Sequence, residues 1–250
     1  MHTMRLALAY DGTDFRGWAR QRDRCIRTIE GVLSEALSEV LHEDVRLSVA
    51  GRTDAGVHAR AQVASLVTSS PLAPERIQAA INRRLSPEIV VTHAIHAPNG
   101  FDARFSATAR EYRYRIRTAQ WPDPFTSRFV WHRPGALSVA RMRGASRTLL
   151  GEHDFSSFCR SPSGGRSTVR RVDRLSVARR GDVVEIGIRA NAFLHQMVRS
   201  IVGTLVAVGE GKREPGDVPR ILAARDRSAA GQMAPARGLT LERVVYGRRT

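Results

Sequence analysis

In the stretch Val45–Ala59, VRLSVAGRTDAGVHA, a strand-like alternating pattern gives way to a loop that contains two glycines. The first part of the predicted fold is organised around this point. Val45–Val49 alternates apolar and polar side chains, which predicts a half-buried strand. Gly51 and Gly56 then bracket four residues, and glycine in such places permits a tight turn and a close approach of other groups to the backbone. We therefore predict a strand that ends in a sharp loop carrying Asp54. Taken by itself, this pattern is better explained by a β-turn in which Asp54 bonds only nearby amides.

On either side of this loop, segments with the apolar spacing of strands alternate with segments that have the apolar spacing of helices. In Thr28–His42 the apolar residues recur at offsets of three and four, which predicts an amphipathic helix with Thr28 as its N-cap. The remaining predicted elements are strands at Arg5–Tyr10, Val63–Val67 and Ile89–Ile95, and a helix at Pro74–Leu85. The order is strand, helix, strand, strand, helix, strand.

A similar order follows in the rest of the chain. The predicted strands are Arg110–Arg117, Val169–Val177, Val183–Ile188 and Leu241–Val245, and the predicted helices are Ser138–Leu150, Leu194–Val208 and Val218–Ala224. The sequence therefore predicts an α+β protein with two halves, residues 1–105 and 106–250, each a sheet with helices on one face. Between these elements, the polar and basic segment Cys159–Thr168 is predicted to be a mobile surface loop.

The charge of the chain indicates a polyanionic partner. Its 250 residues carry 40 basic and 24 acidic side chains, a net charge of +16, and Lys212 is the single lysine. Arginine suits phosphate because its planar fork donates two parallel hydrogen bonds, and its face stacks on bases. A GC-rich genome would explain the ratio of arginine to lysine but not the surplus of positive charge. Nucleic acid is therefore the leading candidate partner.

Several classes of site and location are disfavoured by the sequence. Cys25 and Cys159 lie far apart and outside any CxxC spacing, which argues against a disulfide framework or a cysteine zinc site. The longest apolar run, Ile201–Val208, is far shorter than the roughly 20 residues that span a bilayer. No GxSxG or HExxH motif occurs. We expect a cytoplasmic protein without a metal, a nucleotide cofactor or a membrane partner.

Three further segments carry candidate functional residues. Tyr10–Trp18, YDGTDFRGW, combines turn formers, aromatic residues and a basic residue. In the predicted strand Arg110–Arg117, Tyr112 and Tyr114 share one face and arginines share the other. This arrangement either serves base stacking and phosphate pairing, or it is a core face opposite a solvated face. Arg199 lies beside the apolar stripe of its predicted helix, so we expect it to be partly buried and to need an anionic partner.

Taken together, the segments resemble the tRNA pseudouridine synthase A family along nearly the whole chain. The segments that carry the resemblance are YDGTDFRGW, AGRTDAGVHARAQ, NRRLSPEIVV, FDARFSATAREYRYRI, LLGEHDFSSF, NAFLHQMVRSIVG and APARGLTLERVVY. The resemblance implies the pseudouridine synthase fold: two ferredoxin-like α/β halves forming a mixed, largely antiparallel sheet, with helices packed on it and a central basic cleft. One departure is Ala61, where the family often has glycine before the glutamine.

The resemblance also implies the chemistry and the residues that perform it. The C–N glycosidic bond of uridine is broken, the base rotates, and a C–C bond forms through C5 without a cofactor. Asp54 matches the catalytic aspartate, which attacks the base or the sugar or assists glycal formation. Tyr112 matches the tyrosine that stacks on the uracil, and Arg199 the basic residue that keeps Asp54 ionised. Arg52 matches the arginine that helps flip the target out of the stack, and Arg16 and His58 are further expected substrate contacts.

The implied substrate is the anticodon stem–loop of tRNA, with uridines at tRNA positions 38, 39 and 40 as targets, and the implied assembly is a homodimer. Two other classes compete with this interpretation. An RNA-binding protein without catalysis explains the charge and the aromatic residues. A carboxylate glycosidase or a nuclease would use Asp54 with Asp11 or Asp14, although it normally needs a second carboxylate at a defined separation or a metal-binding cluster.

Overall fold

The structure, a computed structural model, describes residues 1–23, 25–160 and 167–247. Most of the loop predicted at Cys159–Thr168 therefore lies outside the described residues. The chain divides into two compact units, the first made of Met1–Thr108 with Leu241–Thr250 and the second of Ala109–Thr240. The C-terminal strand thus clusters with the first unit, while the division into functional halves at residues 105 and 106 stays a prediction.

The first unit follows the predicted order of elements. It contains β1 (His2–Tyr10), α1 (Ile29–Leu41), β2 (Ser48–Val49), β3 (His58–Thr68), α2 (Pro74–Leu85), β4 (Ile89–His96) and, from Leu241 onward, the last strand β10 (Leu239–Tyr246). Its strands lie in the order β4-β1-β3-β10, with β2 paired to β3. The ladders of β1 with β3, β1 with β4 and β2 with β3 are antiparallel.

Local sequence accounts for the helices of this unit. The Thr28 side chain accepts a hydrogen bond from the Gly31 amide at the start of α1, as its N-cap position predicts. Pro74 occupies the first turn of α2, where a missing amide hydrogen costs nothing. Leu33, Leu37, Ile77 and Ile81 are almost fully buried, and burying side chains of this size stabilises by about 1.5–3 kcal/mol each.

The second unit has a sheet in the order β5-β9-β8-β7. Its elements are β5 (Ala107–Arg117), β6 (Trp131–His132), α3 (Val139–Ser146), β7 (Gly151–Asp154), β8 (Val169–Arg180), β9 (Val183–Ala190), α4 (Met197–Gly209) and α5 (Asp217–Ala224). The ladders β5–β9, β7–β8 and β8–β9 are antiparallel, and β6 runs parallel to β5. The predicted α+β class, with largely antiparallel sheets and helices packed on them, is confirmed.

The structure corrects several predicted bounds. The strand predicted at Val45–Val49 is reduced to β2, Ser48–Val49. The helix predicted at Leu194–Val208 begins only at Met197, because Gln196 takes a left-handed conformation with φ of 65°. The helix predicted at Ser138–Leu150 ends at Ser146 and continues as a 3-10 turn, Arg147–Leu149. The short strands β6 and β7 have no counterpart among the predicted elements.

Candidate active site

The loop that carries Asp54 connects β2 to β3 in the first unit. Asp54 is half-buried and Arg52 is exposed. The Asp54 carbonyl accepts a hydrogen bond from the Val57 amide at 3.1 Å, which closes a turn directly after the aspartate. Gly56 has φ of 76°, a left-handed conformation that glycine adopts without steric cost. The loop therefore holds a carboxylate at its tip on a tightly turned backbone, as the two bracketing glycines predict.

A second irregular segment, Gly12–Trp18, packs against this loop. The Trp18 amide donates to the Thr53 carbonyl at 3.0 Å, and the Gly56 amide donates to the Phe15 carbonyl at 3.3 Å. A Cβ atom built on Gly12 would lie 2.0 Å from the carbonyl oxygen of Val57, so no side chain fits there. The motif around Gly12 therefore supports the loop from outside, through its backbone.

Beneath the loop lies a buried network of three side chains from β1, the loop and β3. The hydroxyls of Tyr10 and Thr53 are 2.8 Å apart, and the Gln62 amide group donates to the Tyr10 hydroxyl at 3.2 Å. The same amide nitrogen donates to the Gly51 carbonyl at 2.7 Å. Burial raises the pKa of Tyr10 to about 12, so its hydroxyl keeps its proton at neutral pH. Tyr10 and Gln62 lie within motifs that the sequence analysis singled out, but it assigned neither residue a role in the site.

The two other predicted substrate contacts of the first unit differ in exposure. Arg16 is exposed, whereas His58 is only 2% exposed. Nδ1 of His58 lies 3.1 Å from both the Gly12 amide nitrogen and the Asp11 carboxylate. When Nδ1 carries no hydrogen it accepts from the Gly12 amide, and when it carries one it donates to the Asp11 carboxylate. His58 thus ties the Gly12 segment to the start of β3, and its contact with substrate stays a prediction.

In the second unit, Tyr112 and Tyr114 occupy one face of β5 and differ in their surroundings. Tyr112 packs edge-on against Phe193, with ring centroids 5.1 Å apart. Tyr114 is completely buried, its hydroxyl donates to the Pro235 carbonyl at 2.7 Å, and burial raises its pKa. Of the two interpretations that the sequence allowed for this face, the core interpretation therefore holds for Tyr114.

The arginines on the other face of β5 face acidic side chains. Arg113 and Arg115 approach Glu185 at 3.1 Å and 3.3 Å, and Arg117 approaches Asp182 at 2.9 Å. These pairs are only partly exposed to solvent. Because Arg113 and Arg115 share the single carboxylate of Glu185, these pairs neutralise only part of the positive charge on this face.

Arg199 lies in the first turn of α4 and is half-buried, in line with the predicted partial burial. Its Nε donates to the Ala234 carbonyl at 2.8 Å, and the Ala234 amide donates to the Arg199 carbonyl at 3.1 Å. This two-point contact fixes both the backbone and the side-chain plane of Arg199 against Gly231–Gly238, which we call the C-terminal segment. The segment has no regular hydrophobic period, so sequence reasoning did not identify it as a support.

The predicted site residues are thus distributed over both units. Arg16, Arg52, Asp54 and His58 belong to the first unit, and Tyr112 and Arg199 to the second. Within the described residues, no group of three or more His, Cys, Asp or Glu side chains could hold a metal ion. A search of the same residues finds no helix with the length and apolarity needed to cross a membrane.

Comparison with known proteins identifies a family for almost the whole chain. The sequence model of a family described as tRNA pseudouridine synthase matches residues 6–106 and 145–247. The Asp54 loop, Tyr10 and Gln62 fall in the first matched range, and Arg199 with the C-terminal segment falls in the second.

Individual relatives match over at least 96% of their length. The chain is 44% identical to a tRNA pseudouridine synthase A of Brevibacillus brevis, covering 98% of this chain and 100% of the relative. It is 43% identical to the protein of the same name from Methylobacterium nodulans, covering 98% and 96% of the two chains. It is also 44% identical to that of Rhodospirillum centenum, covering 98% and 100%. Identity at this level over complete chains assigns both units to one protein family.

Proposed function

The chain belongs to the tRNA pseudouridine synthase family, and from this we propose that it isomerises uridines 38, 39 and 40 in the anticodon stem–loop of tRNA, with Asp54 as the catalytic carboxylate. The enzyme class is that of an isomerase acting on tRNA uridine. The reaction exchanges one bond for another within the nucleotide. The bond from N1 to the sugar breaks, the bond from C5 to the sugar forms, and the C5 proton leaves while N1 gains a proton.

One observation carries the assignment of Asp54. Its carboxylate stands at the tip of a loop that is restrained by the turn to Val57, by the Gly12–Trp18 segment and by the Tyr10 network. A group that attacks or deprotonates a nucleotide reacts faster when it is restrained in this way, because the entropy cost of positioning it is met during folding and not during the reaction. A turn aspartate with a purely structural role would need no such support on both sides.

The remaining predicted residues complete the proposal. Tyr112 stacks on the target uracil, and Arg199 supplies the positive charge that keeps Asp54 ionised. Arg52, which is exposed on the loop, enters the RNA stack and offsets part of the roughly few kcal/mol that base flipping costs. Arg16 and His58 are the further proposed contacts to the substrate.

The partner, the assembly and the location also belong to the proposal. The net charge of +16 favours binding of the tRNA backbone through arginine. We expect the enzyme to act as a homodimer in the cytoplasm, without a cofactor.

The deciding experiment measures tritium release from unmodified tRNA that carries 5-³H-uridine. We expect release by the wild type and loss of release in Asp54→Asn, with tRNA affinity retained, because the substitution removes the carboxylate but not the basic surface. Asp44→Asn, a change at an exposed position of the same unit, is the matched control and should release tritium at the wild-type rate.

Other outcomes would point to the competing classes. Tight tRNA binding with no tritium release by the wild type would indicate an RNA-binding protein without this chemistry. Free uracil or shortened RNA would indicate a glycosidase or a nuclease, since an isomerase changes neither the mass nor the length of the RNA.

A further inference from the structure

The buried network beneath the Asp54 loop has a direction that the donors and acceptors determine. The Gly51 carbonyl can only accept, so the Gln62 side chain must turn its amide nitrogen toward it. That nitrogen cannot accept, so the Tyr10 oxygen accepts its second hydrogen. The single proton of the Tyr10 hydroxyl is then left for the hydroxyl of Thr53 at 2.8 Å. The chain of bonds therefore runs from Gln62 through Tyr10 to Thr53.

This chain of bonds reaches the loop on both sides of Arg52. Gln62 holds the Gly51 carbonyl before it, and Tyr10 holds the Thr53 side chain after it. Thr53 directly precedes Asp54, and its carbonyl also accepts from the Trp18 amide. Gln62 is fully buried and Tyr10 is 5% exposed, so water does not compete for these bonds.

The register of β1 against β3 places the two supporting side chains on one face of the sheet. Leu8 pairs with Gln62, but Tyr10 pairs with Ala59, so β3 has one more residue than β1 between these two pairs. Cross-strand partners share a face, as do residues two apart on one strand. Gln62 and Tyr10 therefore point to the same side, and the bulge brings Tyr10 to the position where β3 begins and the loop ends.

We propose that Tyr10 and Gln62 are positioning residues for Asp54, which hold the loop in its reactive geometry through Thr53 and Gly51 and so set turnover and not tRNA affinity. The inference rests on the proposed catalytic role of Asp54. Neither side chain needs to touch the substrate, since both are buried and act through their neighbours. A displacement of about 1 Å at a reacting group can cost roughly 100-fold in rate.

The test compares two tyrosines of the first unit that lose the same group. Tyr10→Phe removes the bond to Thr53, and Tyr246→Phe removes a bond of equal length, 2.8 Å, to the Ala103 carbonyl. We expect Tyr10→Phe to lower kcat by about 10-fold with KM for tRNA changed less than about twofold, and Tyr246→Phe to leave kcat unchanged. Urea unfolding of both variants provides the comparison of stability.

Thr53 offers a second test that does not alter β1. Thr53→Val removes the accepting hydroxyl and should lower kcat as Tyr10→Phe does, whereas Thr53→Ser keeps the hydroxyl and should restore it. Equal kcat values for Tyr10→Phe and Tyr246→Phe, or for Thr53→Val and Thr53→Ser, would overturn the inference. If instead Asp54→Asn itself retained activity, the proposed function would fail, whatever the result at Tyr10.

Discussion

The Asp54 loop and the C-terminal segment, Gly231–Gly238, are both irregular stretches next to a proposed functional residue, but they are held by different means. The loop is bonded through its backbone to the Gly12–Trp18 segment, and it rests in addition on a buried chain of side-chain hydrogen bonds from Gln62 through Tyr10. The C-terminal segment is held mainly through its own backbone, which exchanges two hydrogen bonds with Arg199 and donates from the Gly231 amide to Thr204 at 2.9 Å.

The glycines show how close the second contact is. A Cβ atom built on Gly203 of α4 would lie 1.7 Å from the Gln232 carbonyl oxygen, and one built on Gly238 would lie 2.5 Å from the Tyr114 ring. Such contact leaves no room for any side chain. The Asp54 loop has the same kind of close backbone contact at Gly12, and what it has in addition is the buried side-chain network. We therefore expect that removing single side-chain bonds from this network lowers the rate, whereas added volume in the C-terminal segment lowers stability.

In the second unit, we expect the largest effect from Arg199→Ala, which should lower turnover. The substitution removes the charge proposed to keep Asp54 ionised, so kcat should fall roughly 100-fold, the scale found for electrostatic groups in active sites, with a small change in tRNA affinity. Arg220→Ala, at an arginine whose side chain is 84% exposed, removes the same charge elsewhere in the unit and is the matched control. Single-turnover kinetics at saturating tRNA separate rate from binding.

Arg199→Lys refines this prediction. Lysine keeps the charge but cannot reproduce the bond that the planar guanidinium makes from Nε to Ala234. Partial recovery of kcat would therefore assign part of the effect to charge and the rest to anchoring by the C-terminal segment. A collapse of affinity with turnover retained at saturating tRNA would contradict the proposed role of Arg199.

The next effect in size is on stability, from Gly203→Ala. The added methyl collides with the Gln232 carbonyl, and we expect a loss of about 2–3 kcal/mol in the free energy of unfolding. Gly144→Ala in α3 is the matched control, because the nearest atom to its added Cβ is 4.0 Å away. That variant should gain up to about 1 kcal/mol from the higher helix propensity of alanine. Equal midpoints in urea for the two variants would refute the close contact.

The elements that the sequence predicted well carry local signals. Pro74–Leu85 begins at a proline and has a clear stripe of apolar residues, and α2 has these bounds in the structure. Thr28 is a recognisable N-cap and acts as one. By contrast, the short strand β7, Gly151–Asp154, is defined by its pairing with β8, a distant partner that local periodicity does not reveal.

The candidate site shows the same division, and the roles of its residues stay predictions. Asp54, Tyr112 and Arg199 came from motifs, and glycines bracketing a charged loop are visible in any sequence. Gln62 could not be assigned in this way, because its proposed role depends on a cross-strand pairing and on a β-bulge that brings Tyr10 to the start of β3. The contact of Arg199 with Ala234 likewise joins residues 35 positions apart and leaves no pattern in the sequence.

The smallest effect that we expect comes from Tyr114→Phe, which is the same chemical change as Tyr10→Phe in the other region. It removes the bond from the Tyr114 hydroxyl to the Pro235 carbonyl, and the loss of one buried hydrogen bond costs about 1 kcal/mol of unfolding free energy. Since the C-terminal segment keeps its backbone contacts with α4, we expect kcat to stay within about twofold of wild type.

For Tyr10→Phe and for Tyr114→Phe, the change in kcat is compared with the change in the free energy of unfolding. This comparison tests whether the Asp54 loop and the C-terminal segment differ as proposed. Tyr10→Phe should change kcat more than its loss of stability accounts for, and Tyr114→Phe should do the reverse. If Tyr114→Phe lowered kcat as strongly as Tyr10→Phe, the C-terminal segment would also control the geometry of a reacting group. Its backbone contacts would then position Arg199 as finely as the side-chain network positions Asp54. The two regions would differ in the bonds that hold them but would both position a reacting group.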